Sequence, residues 1–370
     1  MAIKGFASTE GTAKYKERFK DNIAETHFRA QQNLTLSSIG LGTYLGNWDE
    51  TTDRNYTDAV MRAVELGCNV IDTAANYRFQ RSERSIGAAL TQLIESGSSF
   101  KREEILICTK GGYLPFDGAP PANVRAYVEE TFIKHGLATY EDIAGGSHCM
   151  TPAYLENQID QSLRNMNIET IDVYYIHNPE SQLGDVTQEG FEKRLRAAFE
   201  QLEKARAENK IKHYGVATWN GFRVAPNQTG YHSLEKMSDI AKEVVGENHG
   251  FRFIQLPFNL AMLEAFAFLN QPLRGEMVST LEAANDLGIT AVASASLLQG
   301  KVARGLPPKI REDLGNLSTE AQTAIQFVRS TPGITTALIG MSRKKHVEEN
   351  LQLAKVEPLS AETFLDLFEA

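Results

Sequence analysis

Asn69-Val70-Ile71-Asp72-Thr73-Ala74-Ala75-Asn76-Tyr77 opens with a short apolar run and closes it on a carboxylate. The run is too short for a helix and suits a strand buried on both faces. Before it, Arg54–Leu66 has helical apolar spacing and stops at Glu65-Leu66-Gly67, a glycine C-cap. After it, Arg81–Ile94 is helical again. Helix, buried strand, helix is the order of a parallel sheet with crossover helices.

The alternation extends in both directions. Further candidate strands lie at Leu34–Leu41, Ile105–Lys110, Ile171–His177, Tyr214–Ala217, Phe253–Leu256, Thr290–Ala293 and Ala337–Gly340. Helical spacing fills the intervals Thr151–Met166, Gly190–Asn209, Leu234–Val245, Gly275–Asp286 and Thr319–Arg329. Thr151-Pro152 reads as an N-cap followed by proline in the first turn. Eight strands interleaved with helices predict an α/β fold, a single-domain (β/α)8 TIM barrel over residues 34–356. Residues 1–33 are expected to be an amino-terminal extension, helical from Thr12 to Gln32, and residues 357–370 a tail. No G-x-G-x-x-G follows an early strand, so a dinucleotide-binding Rossmann sheet is not the reading.

The chain has 370 residues, of which 42% are hydrophobic and 23% charged, which excludes a disordered or fibrous protein. A net charge of −9 argues against nucleic acid as a partner. No uncharged apolar stretch approaches about 18 residues, so no membrane span is expected. Cys68, Cys108 and Cys149 cannot all pair and lack metal-type spacing, which predicts a reducing, cytoplasmic setting. His148-Cys149 has no second pair to complete a metal site, and no metal is expected.

In a barrel the chemistry belongs at the carboxyl ends of the strands. There the second strand delivers Asp72 with Tyr77 five residues on, the third ends on Lys110, and the fourth on His177. Singly, these are a turn carboxylate, a solvated lysine and a structural histidine. Together they form a chemical unit. A phenol ionises near pH 10, too high for easy proton donation at neutral pH. A neighbouring ammonium stabilises its phenolate, a carboxylate holds the ammonium, and a histidine can orient a carbonyl beside the phenol.

With Ser82-Glu83 and Gly87, residues 69–77 resemble the Asp-Thr-Ala…Tyr…Ser-Glu…Gly signature of the aldo-keto reductase superfamily. Thr109-Lys110 and Ile176-His177 fall where that family places its remaining catalytic residues. The resemblance runs from about Leu36 to Ala354. It implies reduction of an aldehyde or ketone by NADPH, with Tyr77 as general acid, Lys110 lowering its pKa, Asp72 holding Lys110 and His177 orienting the substrate. It also leaves open an alcohol dehydrogenase working in the oxidative direction and an NADPH-binding regulatory subunit with little turnover.

At the other end of the barrel sequence, Gly340-Met341-Ser342-Arg343-Lys344-Lys345-His346 leads from a strand into a helix. Cations at a helix start oppose its dipole but suit an anion. The resemblance implies that this segment, from Gly340 on, binds the adenosine 2′-phosphate, with Ser342, Arg343 and His346 at the phosphate and adenine and Glu349 and Asn350 near the adenine amino group. That favours NADP over NAD. It further implies cofactor contacts from Gly42, Thr43, Tyr44 and Asp72, from Gln255 at the nicotinamide carboxamide, and from Ser296, Leu298, Gly300 and Lys301 at the pyrophosphate. Where the family often has Gly-Val-Ser-Asn, this chain has Gly215-Val216-Ala217-Thr218-Trp219-Asn220, leaving the carboxamide to Thr218 or Asn220. The aromatic residue that often stacks on the nicotinamide is replaced by Ser294-Ala295.

Long loops are expected on the active face after the third, fourth and sixth strands, at residues 111–150, 178–189 and 257–274. Tyr44, Trp48, Tyr113 and Trp219 are candidate pocket walls for a small carbonyl substrate, equally readable as core. The apolar run from Phe258 to Leu269 reads either as a substrate wall or as a small packed helix.

Overall fold

A computed structural model describes residues 1–95 and 99–368. Its strands are β1 (Phe28–Gln31), β2 (Leu34–Ser37), β3 (Ile39–Gly42), β4 (Val70–Asp72), β5 (Leu106–Gly111) and β6 (Ile171–His177), then β7 (Ile211–Ala217), β8 (Phe251–Pro257), β9 (Leu269–Leu273), β10 (Glu276–Ser279), β11 (Thr290–Ser294) and β12 (Ile334–Gly340). Eight of them close into a barrel in the order β11-β12-β3-β4-β5-β6-β7-β8, with β8 returning to β11. Every barrel pairing is parallel. The expected (β/α)8 barrel is the fold.

Local chemistry explains the crossovers. The Asp49 side chain accepts from Thr52 N and starts the helix Glu50–Glu65. Thr151 does the same for Pro152–Met166, which ends on Asn167 in the left-handed conformation. Within each strand the period of two then separates two layers. Val70, Leu106, Cys108, Val173, Tyr175, Phe253, Val292 and Leu338 fill the bore, while Ile71, Ile107 and Ile254 face the surrounding helices.

The bore is sealed from below by the amino-terminal segment. Ala7, Leu34 and Leu36 complete the interior cluster, and Ala7 N donates to the buried Asp172 at 2.6 Å. Two expectations differ here. The helix covers Thr9–Glu17 rather than Thr12 to Gln32, and β1 pairs antiparallel with β2. The run Leu34–Leu41 is also split. Ser37 takes up Asn69 N with its Oγ, and Ser38 N donates to His27 O. These bonds turn the chain, so only Ile39–Gly42 enters the barrel.

The apolar run after β8 is a packing element. Phe258 is buried and stacks on Phe327, and Phe266 meets Phe364 of the carboxyl-terminal helix Ala361–Asp366 edge-on. The short helix Glu264–Ala267 and the β9–β10 hairpin carry the rest. Among the described residues no helix is long and apolar enough to cross a membrane.

Candidate active site

All eight barrel strands end on one rim, and the expected residues follow those ends around it. Asp72 pairs with Cys108 and Lys110 with Tyr175 in the parallel register. Asp72 and Lys110 thereby come from adjacent strands and both point into the bore. Lys110 Nζ donates to Asp72 Oδ1 at 2.5 Å and to Thr73 O at 2.7 Å. Gln255 Nε2, from β8, donates to Asp72 Oδ2 at 2.8 Å. Every oxygen of the carboxylate is therefore engaged. Two acceptors converging on one nitrogen are what an ammonium needs, and the pair is read as charged.

Tyr77 stands above this pair. Lys110 Nζ lies 4.9 Å from its ring centroid, and the Tyr44 and His177 rings meet it edge-on at 5.1 and 5.8 Å. Burial pushes the phenol above its ordinary value, and the Lys110 ammonium opposes that shift without overcoming it. Lys110 thus lowers the phenol's pKa while burial raises it by more, because losing water costs a phenolate more than one ammonium returns. Burial acts on Lys110 in the opposite sense, but Asp72 and Tyr77 outweigh it and hold the ammonium above its usual value.

His177 is held well below the usual imidazole range, first by burial and then by Lys110 and His148. It is neutral at neutral pH. Its Nδ1 has no hydrogen-bond partner among the described residues. Behind it, His148 Nε2 donates to the His177 carbonyl at 2.7 Å, while His148 Nδ1 accepts from Gln182 Nε2 at 2.8 Å. These partners fix the tautomer of His148 and steady the end of β6.

The Ser82-Glu83 of the signature braces this arrangement. Ser82 Oγ donates to Thr43 O at 2.8 Å. Buried Glu83 accepts from Thr109 Oγ1 at 2.6 Å and from Asn165 Nδ2 at 2.7 Å, gripping β5 one residue before Lys110.

Between Tyr77 and the helix Arg81–Glu95, the chain makes an unusual turn. Arg78, Phe79 and Gln80 have φ of 50°, 57° and 68°. Non-glycine residues held in such sparsely populated regions cost of order 1–3 kcal/mol each. The compensation is visible. Arg78 Nε donates to Asn47 O at 2.7 Å, its guanidinium also reaches Asp53 and lies 5.2 Å from the Tyr56 ring centroid. Phe79 packs between Trp48 and Phe116.

The remaining expected residues are distributed as follows. Thr218 is buried, and its Oγ1 has no partner among the described residues. Asn220 is exposed, and its backbone N–H, like that of Trp219, donates to Glu180. Ser296 is buried, while Leu298 and Gln299 are left-handed and Gly300 also has positive φ. The turn is closed by its own backbone, with Leu298 N donating to Ala295 O and Gly300 N to Leu297 O, both at 2.7 Å. Arg343, Lys344, Lys345 and His346 are all exposed at the start of the helix Lys344–Asn350, with Ser342 and Glu349 half-buried. Asn350 is buried with Oδ1 unpartnered among the described residues. Gly42 and Gly340 lie at strand ends paired in register, and Lys301 is exposed. Of the proposed walls, Tyr44, Trp48 and Trp219 are 57%, 52% and 43% exposed, whereas Tyr113 is half-buried against His177 and His148.

Sequence reasoning did not reach several contributors. Thr73 acts through its carbonyl, which any residue could supply. His148 and Glu180 act through backbone groups far away in sequence. Arg78-Phe79-Gln80 contains no glycine to announce its turn.

Barrel, rim and buried ammonium–carboxylate pair define the class: this is a (β/α)8-barrel oxidoreductase. The chain belongs to the aldo/keto reductase family, whose model matches residues 38–304. It is 24% identical over 364 residues to D-threo-aldose 1-dehydrogenase of a Pseudomonas species, covering 92% of this chain and 96% of that one. It is 30% identical to the NADH-specific methylglyoxal reductase of Escherichia coli over 151 residues, 39% of either chain. An aldo/keto reductase from Klebsiella pneumoniae, solved in complex with NADP and acetate, shares the fold with a TM-score of 0.60 at 19% identity, over 94% of this chain and 95% of that one.

Proposed function

We propose that this protein reduces an aldehyde or ketone to its alcohol with NADPH, and that Tyr77 donates the proton. The observation that carries this is the Lys110 ammonium, clamped between Asp72 and Thr73 and set 4.9 Å from the Tyr77 ring. Bound NADPH supplies the hydride. Tyr77, kept protonated by burial, gives its proton to the carbonyl oxygen as negative charge develops there. Lys110 stabilises the phenolate left behind, and Asp72 keeps Lys110 charged and in place. Neutral His177 can offer an N–H to the same oxygen, polarising the carbonyl without carrying charge. Read backwards, the same groups oxidise an alcohol.

The residues present fit a phosphorylated dinucleotide. Unpartnered Thr218 Oγ1 supports Thr218 over Asn220 as the carboxamide contact, since Asn220 is exposed. Gln255 would reach the same group only with the part of its amide left free by Asp72. The Ser296 hydroxyl and the exposed Lys301 ammonium, flanking the turn at residues 298–300, suit the pyrophosphate. Ser342, Arg343 and His346 suit a 2′-phosphate, with Glu349 and Asn350 beyond them. The NADP of the Klebsiella protein and the NADH specificity of the Escherichia coli protein point in different directions, and the cluster at residues 343–346 favours NADPH here. Three buried free thiols support a reducing, cytoplasmic setting, with small carbonyl compounds as the substrate class.

The test follows absorbance of NADPH, then NADH, with a panel of aldehydes and ketones. Oxidation of NADPH that is lost in Tyr77→Phe supports the proposal. Tight NADPH binding with no turnover in either direction points instead to a regulatory role.

A further inference from the structure

We propose that Arg78 is a positioning residue for Tyr77, holding residues 78–80 in the left-handed turn that aims the phenol. The inference rests on Tyr77 being the proton donor. The Tyr77 ring is met by the edges of Tyr44 and His177 and by the Lys110 ammonium at 4.9 Å. The position from which it reaches them is set by its backbone, whose N–H donates to Ala74 O at 3.0 Å. Immediately afterwards come three successive non-glycine residues at positive φ. Released, such residues relax toward extended or right-handed backbone. Any such relaxation swings the Cα of Tyr77.

The restraint comes from outside the turn. The Arg78 side chain is 1% exposed and its guanidinium is tied to Asn47 O, Asp53 and the face of Tyr56. All three belong to the segment after β3 that also carries Tyr44 and Trp48. Phe79, next in the turn, packs on Trp48 at 5.2 Å. Arg78 thus locks the proton donor to the segment bearing two candidate walls of the pocket. A displacement of about 1 Å can cost on the order of 100-fold in rate, so such a lock has a kinetic signature.

Two substitutions at one position separate this role from simple packing. Arg78→Ala removes the guanidinium but keeps the left-handed penalty. Arg78→Gly removes both, since glycine adopts that conformation freely. The expected result is a kcat about 10- to 100-fold lower in Arg78→Ala, with the dissociation constant for NADPH, read by protein fluorescence, unchanged. Arg78→Gly should recover at least a few-fold of that loss, although glycine would ordinarily be the more damaging replacement. Wild-type kcat in Arg78→Ala, or Arg78→Gly no better than Arg78→Ala, overturns the inference. If Arg78→Ala does not fold, Asp53→Ala removes a partner of the same guanidinium and should lower kcat several-fold at unchanged NADPH affinity; an unchanged kcat overturns the inference equally. Tyr77→Phe is run in parallel. A fully active Tyr77→Phe removes the proton-donor role and this inference with it, whereas an inactive Tyr77→Phe beside a fully active Arg78→Ala defeats the positioning role alone.

Discussion

Gln255 on β8 and Asp72 on β4 stand four strands apart in either direction around the barrel, yet Gln255 Nε2 donates to Asp72 Oδ2 at 2.8 Å. The bond crosses the bore and ties the base of the proton-transfer unit to the opposite wall. Gln255→Leu leaves that carboxylate oxygen buried without a donor, which costs about 1–3 kcal/mol. Denaturant unfolding should show that loss, and kcat should fall about tenfold as the ammonium loses its fixed partner. Unaltered stability and kcat would show that the bond does not matter.

Removing Lys110 should do more damage than removing the pair. Lys110→Met strands a buried carboxylate, which costs about 3–5 kcal/mol. Adding Asp72→Asn to that variant removes the stranded charge and should return most of the stability, while both proteins remain without activity. Equal stability of the single and double variants would mean that Asp72 takes up a proton once Lys110 is gone.

His148 predicts an acid limb of stability. Burial lowers its pKa from 6.5 to about 4. The folded state therefore binds its proton later than the unfolded state, and the contribution is complete above pH 6.5. It is lost as pH falls toward 4, at about 1.4 kcal/mol per pH unit, for about 3 kcal/mol in all. His148→Gln keeps a donor for the His177 carbonyl but does not titrate. Unfolding free energies between pH 7 and pH 4 should be shallower for this variant by about one proton. Parallel slopes for the two proteins would refute the assignment.

The cation cluster predicts how cofactors are distinguished. Arg343→Ala should weaken NADPH binding about tenfold, the scale of one charged hydrogen bond of about 1.5 kcal/mol, and leave NADH binding where it was. The NADPH effect should shrink as salt is added, because the cluster is exposed. A matching loss for NADH would place Arg343 away from the 2′-phosphate.

Much of this protein could be read along the chain. Alternating apolar strands and capped helices specify the barrel, because short buried strands and amphipathic helices each carry their own periodicity. Asp72, Lys110 and His177 were legible because each lies at the end of a buried strand and so reaches the rim, whereas Tyr77, in the loop beyond Asp72, was legible through the resemblance of residues 69–77 to a family signature. The basic start of the helix Lys344–Asn350 was legible as charge placed against the helix dipole.

Other features depended on the tertiary structure. The split of Leu34–Leu41 follows from Ser37 and Ser38 bonding Asn69 and His27, and the packing role of Phe266 follows from Phe364, nearly a hundred residues on. The net direction of the Tyr77 shift was decided by how much water burial removes, a quantity spread over every neighbour in space. The left-handed turn at Arg78-Phe79-Gln80 runs against the local preference of each of its residues. Local sequence determines which elements form and which chemical groups reach the rim. Solvation and strain are set by what lies beside those groups once the barrel has closed, and that belongs to the tertiary structure.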